Sequence, residues 1–224
     1  MQKALSFRSI AVATALVAAG ASAQAALTIP ANSLVANSVQ AFSQESLDAF
    51  DVGGVVVTPL GNATAVDGVT GAYSFPITSI TIDNNLKIAG GSASGSALEI
   101  SRVYRNVKYA VTVANFTINY TTQQVLADTT PLGGTTTKQA PLYNFHTATP
   151  LAIKYKFPLS ITGHEVLDQL TLTPEMTATM TSALALTPVL KSALTSISTF
   201  GTLTQDIAVK PRAKPVSTTP YTPQ

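Results

Sequence analysis

Val107-Lys108-Tyr109-Ala110-Val111-Thr112-Val113-Ala114-Asn115-Phe116-Thr117-Ile118-Asn119-Tyr120 is the stretch that decides the fold. Val107, Tyr109, Val111 and Val113 fall on every second position, and Phe116, Ile118 and Tyr120 resume the alternation one place out of step. A period of two turns one side of a strand toward a core. A slip of one residue would flip every later side chain, so Ala114-Asn115 reads as a β-bulge that absorbs the extra residue.

The same period spreads outward from this strand. Arg105-Asn106 marks a turn, and Leu98–Tyr104 is the strand before it. Tyr73–Ile82 alternates as one half-buried strand, closed by the Asx-rich turn Asp83-Asn84-Asn85. Gly90–Gly95 between them is a flexible loop or a bulged corner. Val55–Thr58 is a short strand ended by Pro59, and further strands are expected at 142–145, 151–161 and 201–209.

Three helices interrupt the strands. Residues 43–50 start on a Ser43 cap and stop at Gly53-Gly54. Thr173-Pro174-Glu175 combines a cap, a proline at the first position and an acid in the first turn, which predicts a helix over 174–186. A second short helix runs from Pro188 to Ser196. The polar stretch 128–141 reads as a linker, with the possibility of two related halves on either side. Residues 210–224 hold four prolines and few apolar residues, which predicts a disordered tail. The fold class is mainly β: an antiparallel sandwich or open barrel with a few short helices over residues 24–209.

The N-terminus carries an address. Lys3 and Arg8 precede the apolar run Ile10–Ala19, and Ala21-Ser22-Ala23 supplies small residues before Gln24. That order predicts a secretory signal peptide over residues 1–23, with a second cleavage position after Ala25. The full chain has 13 Lys+Arg against 11 Asp+Glu. Without the leader the two counts are equal, and residues 24–209 alone carry an acidic excess. Such a body is a poor partner for nucleic acid. Cysteine is absent, which excludes disulfides, thiol catalysis and a lipid anchor. No later run reaches the roughly 18 apolar residues of a membrane helix. The expected product is periplasmic or extracellular, with edge strands that offer self-association.

Chemistry-bearing residues are few. His146 and His164 are the two histidines, and neither has a zinc spacing or a Gly-x-Ser-x-Gly partner. The pairs Glu165/Asp168 and Asp48/Asp51 suit a cation or simply a solvated surface. Arg102, Tyr104 and Lys108 form either a cationic aromatic face on a hairpin or the polar side of a half-buried sheet. Asn62-Ala63-Thr64, Asn115-Phe116-Thr117 and Asn119-Tyr120-Thr121 match the glycosylation pattern, but a bacterial-type leader argues against that modification.

Several segments together resemble secreted bacterial proteins related to the HtaA domain. They are Leu47–Val57, Phe75-Pro76-Ile77-Thr78, Val113–Ile118, Gly163-His164 with Leu167-Asp168, and Leu170-Thr171-Leu172-Thr173-Pro174, within residues 36–209. Some members of that family bind haem through a tyrosine assisted by a histidine. The resemblance implies a β-rich binding domain and places His164 in its Gly-His motif.

Three functions remain open from sequence. The first is a secreted, non-enzymatic surface or binding module without a cofactor. The second is a haem or small-ligand binder of the HtaA type, with His164, His146, Tyr104 and Arg102 as candidate ligand-binding residues. The third is an exported hydrolase. The partner is an unknown ligand or cell-surface component, and no metal is specified.

Overall fold

A computed structural model describes residues 27–30, 35–82, 88–156, 160–208, 212 and 214–223. The leader expected over residues 1–23 and the turn at 83–85 lie outside the described residues. The strands are β1 (Leu27–Pro30), β2 (Val35–Ala41), β3 (Val55–Gly61), β4 (Thr64–Ala65), β5 (Ala72–Pro76), β6 (Ser79–Ile82), β7 (Ile88–Tyr104), β8 (Val107–Asn119), β9 (Gln124–Pro131), β10 (Thr137–Lys156), β11 (Ser160–Leu172) and β12 (Thr202–Ala208). Three helices join them: α1 (Gln44–Gly53), α2 (Pro174–Ala183) and α3 (Pro188–Ser196).

All described strands belong to one antiparallel sheet, ordered β1-β6-β7-β8-β9-β10-β11-β12-β2-β5-β4, with β3 added to β7. It curls into a nearly closed barrel. The seam is tied where Thr78 N–H reaches the Ser92 carbonyl and the Tyr73 hydroxyl donates to the Val57 carbonyl.

The alternation of the deciding strand holds at its centre, while Val107 is exposed and Ala110 and Thr112 on the other face are buried as well. In β8, Val111 and Val113 are buried, Asn115 has φ +54°, and the register to β9 shifts between Ala114 and Thr117. Arg105 and Asn106 both adopt positive φ, as a two-residue hairpin turn demands. Gly90–Ser94 lie inside β7, with a register shift against β8 between Ala93 and Ala97, so the bulged corner is realised and the loop is not.

Other boundaries move for identifiable reasons. Pro59 does not end its strand, because β3 is an edge and proline's missing N–H faces no partner there. Tyr73–Ile82 is two strands. Beyond Pro76 the chain changes partners, from β2 to β7, and Ile77 N–H bridges to the Ala36 carbonyl. Residues 128–141 are a hairpin rather than a linker: Thr129 pairs with Thr137 and Ala127 with Ala140, so the sheet runs unbroken through the expected divide.

The helices gather at one end of the barrel. Ser43, Thr173 and Thr187 cap them by accepting the N–H three residues on, and Gly54 closes α1 in the left-handed conformation. Phe42 meets Phe50 edge-on at 5.3 Å, while Phe200 packs against Phe50 and Tyr143, joining the helices to the barrel core. No helix among the described residues is long and apolar enough to cross a membrane.

The tail departs from its expectation. Described residues after β12 lack regular secondary structure yet are bonded to the barrel. Arg212 donates to the Ala36 and Ile77 carbonyls, and Tyr221 pairs with Asn115. Where the sheet bends, the Ala36 carbonyl accepts from both the Ile77 N–H and Arg212.

Candidate functional site

The four sequence candidates are held in three separate places. Arg102 lies on β7 in line with Leu98 and Ile100, hence on the inward side, near the helical end. It is only 6% exposed, and its Nε and Nη1 have no hydrogen-bond partner. Its guanidinium stacks 4.9 Å from the Tyr104 ring centroid, and Arg105 approaches the same ring at 5.1 Å. Lys108 sits on the opposite face, opposite Val103, and pairs with Glu99 at 2.8 Å. Alternation along a strand thus splits the cationic aromatic face expected from Arg102, Tyr104 and Lys108.

Both histidines point outward from β10 and β11. His146 Nδ1 lies 2.9 Å from Asp168 Oδ1, and His164 Nδ1 lies 2.8 Å from Asp206 Oδ1. Each pair is a direct cross-strand neighbour, His146 with Asp168 and His164 with Asp206. His164 and Asp168 stand four residues apart on β11, roughly 13 Å along an extended strand, so the two pairs do not share one small ligand.

His164 is the better placed. It lines a groove of about 440 Å³ at the end of the barrel away from the helices. Val35, Ala152 and Ile207 give apolar walls, and Lys154, Asn37 and Asp206 give polar edges. An ionised Asp206 holds the Nδ1–H tautomer and leaves Nε2 as an acceptor or metal donor. The groove thus offers an imidazole nitrogen from His164 and a cation from Lys154. Among the described residues no tyrosine side chain lines this groove. Among the described residues no group of three or more His, Cys, Asp or Glu side chains gathers to hold a bare metal ion.

The barrel interior contains a second space, lined by Phe75, Phe116, Leu142 and Tyr143 with Ser38, Gln40 and Gln205. Its volume of about 30 Å³ suits one or two waters. The Ser38 hydroxyl has no partner and is the natural contact for such a water. Beside it Glu165 Oε2 accepts from the Tyr120 hydroxyl at 2.6 Å and from Gln205 Nε2 at 2.5 Å. Burial raises the Glu165 carboxyl above the ordinary range, and burial followed by the nearby carboxylate raises the Tyr120 phenol. The sequence left Glu165 and Asp168 as either a cation-binding pair or a solvated surface. They lie on opposite faces of β11 because they are an odd number of residues apart, and Asp168 belongs to His146 instead.

Asp206 and Lys154 were missed as companions of His164. They lie 42 and 10 residues away in sequence, and only strand register joins them. No protein-family model and no curated sequence match this chain. Among solved structures the chain is similar to the C-terminal domain of HtaA from Corynebacterium glutamicum, with a TM-score of 0.51 and 11% identity over 78% of this chain and 97% of that one. The likeness shows an HtaA-like fold.

Proposed function

We propose that this protein is an exported, non-enzymatic binding module whose ligand site is the groove around His164. The observation that carries the reading is the His164–Asp206 pair at 2.8 Å within a groove of ligand size. A fixed imidazole, one ammonium and apolar walls suit a ligand with a flat or apolar body and an anionic end. Among the described residues neither imidazole is bonded to a hydroxyl, which favours binding over hydrolysis.

Haem is the second reading, favoured by the same orientation of His164. Hemin and iron-free protoporphyrin IX separate the two. Both are expected to bind the full chain, hemin with a shifted Soret band. His164→Ala is expected to weaken hemin at least tenfold while leaving protoporphyrin within threefold; Lys154→Ala is expected to weaken both. Protoporphyrin binding without a hemin preference supports the general reading over haem. Binding of neither, or binding indifferent to both substitutions, overturns the groove as the site.

A further inference from the structure

We propose that the outer face of the β3–β7–β8 region is a binding site for an extended, proline-flanked peptide, filled in cis by the chain's own tail and open to exchange with a free peptide. The inference is independent of the groove at His164. The site centres on Asn115, the bulge residue of β8. Its Oδ1 accepts the Tyr221 N–H at 2.7 Å, and its Nδ2 donates to the Tyr221 carbonyl at 3.0 Å. Those are the two bonds a neighbouring strand would offer an extended residue, here supplied by one side-chain amide.

The amide is held ready for that task. Oδ1 also accepts the Gly95 N–H at 3.0 Å, and Nδ2 also donates to Asp128 at 2.9 Å. Asp128 in turn accepts from the Gln139 backbone N–H, and Gln139 Nε2 donates to the Asn115 carbonyl. A second amide, Asn62, donates to the Ser217 carbonyl at 2.7 Å and to the Ser94 carbonyl at 3.1 Å.

Two glycines make the room. A Cβ on Gly61 would meet the Gly95 carbonyl first and Tyr221 Cδ2 at 2.9 Å, and one on Gly95 would meet Asn62 Nδ2 at 2.6 Å and the Thr219 carbonyl oxygen at 2.9 Å. Both glycines have positive φ, so strand chemistry has been given up on both sides of the seat. Beyond Tyr221 a groove of about 200 Å³ continues over Leu60, Pro131 and Leu132, with Pro223 on its wall.

What is recognised is mainly backbone. Ser217 to Pro220 stay exposed, while the rings of Tyr221 and Pro223 are half-buried. The flanking prolines keep such a segment extended before it binds, which lowers the ordering cost. A seat that reads backbone through two amides accepts the same segment whether or not it is tethered.

The chain has no tryptophan, so Tyr221→Trp introduces a single reporter. In the full chain its emission is expected to be blue-shifted relative to urea-unfolded protein. A free peptide, Ser-Thr-Thr-Pro-Tyr-Thr-Pro-Gln, is expected to shift it red at several millimolar, about the effective concentration of a tethered competitor. N-methylation of the peptide's tyrosine removes the N–H that Asn115 accepts and should raise the half-effect concentration at least tenfold. Asn62→Ala, which leaves the bulge residue in place and removes the bond to the Ser217 carbonyl of tail and peptide alike, should leave that concentration within about twofold. Solvent-like emission in the folded chain overturns the seat. Blue emission that no peptide concentration alters, or that the methylated peptide alters equally, overturns the exchange.

Discussion

Glu165 shows how much a single inward carboxyl can govern. Its raised pKa has burial as the first cause, partly opposed by the bonds from Tyr120 and Gln205. A carboxyl raised in the folded state retains its proton where the unfolded chain has lost it. Stability is therefore greatest below the unfolded value, about 4.3, and falls as pH rises from there through the folded value. Glu165→Gln keeps an oxygen for both donors and removes the charge. It is expected to raise stability at pH 7 by on the order of 1 kcal/mol, and by little at pH 4. Urea unfolding at the two pH values checks this; an equal gain at both would show that the carboxyl's titration is not the cause. Tyr143 carries a related signature, its phenol pushed up to about 12 by burial while Gln40 donates to it. Neither residue announces itself in sequence, because a Glu in an alternating strand reads as surface until its neighbours across three strands are known.

Helix caps were the most legible elements, since Ser43 and Thr173 act through bonds only three residues long, whereas the equivalent cap at Thr187 was not singled out. Thr173 does more than start α2. Its Oγ1 accepts the Met176 N–H at 3.2 Å and donates to the Pro141 carbonyl at 2.5 Å, fastening the helix to β10. Thr173→Ala is expected to cost about 1–2 kcal/mol, and Thr173→Ser much less. Thermal unfolding of the pair decides it, and equal losses would point to the missing methyl rather than the hydroxyl. The bulge in β8 was legible for the same local reason, as a break in period two. The strand break at Pro76 was not, because the alternation of Tyr73–Ile82 survives a change of partners that only the barrel's curvature requires. His164 was visible as a residue, but Asp206 and Lys154 reach it through register, which local pattern does not encode.

Continuity of the sheet sets the behaviour of the whole molecule. A chain of two halves joined by a 128–141 linker would bury two cores and unfold in two steps. Instead β9 and β10 pair through that stretch, and one core runs from Phe50 and Phe200 at the helices through Leu142 and Leu167 to Phe75 and Ile118. Closure adds to this, since β2, from the beginning of the described barrel, is clamped between β5 and the last strand β12. Neither β2 nor β12 can leave without exposing apolar surface on its neighbours. A single cooperative transition is therefore expected, with calorimetric and van't Hoff enthalpies equal within experimental error. Releasing the tail by Asn62→Ala should leave that ratio unchanged, because Ser217–Pro220 bury little and the amide's bonds lie on the outer face. Two resolved transitions, or a van't Hoff enthalpy about half the calorimetric one, would restore the two-halved chain that the composition of residues 128–141 suggests.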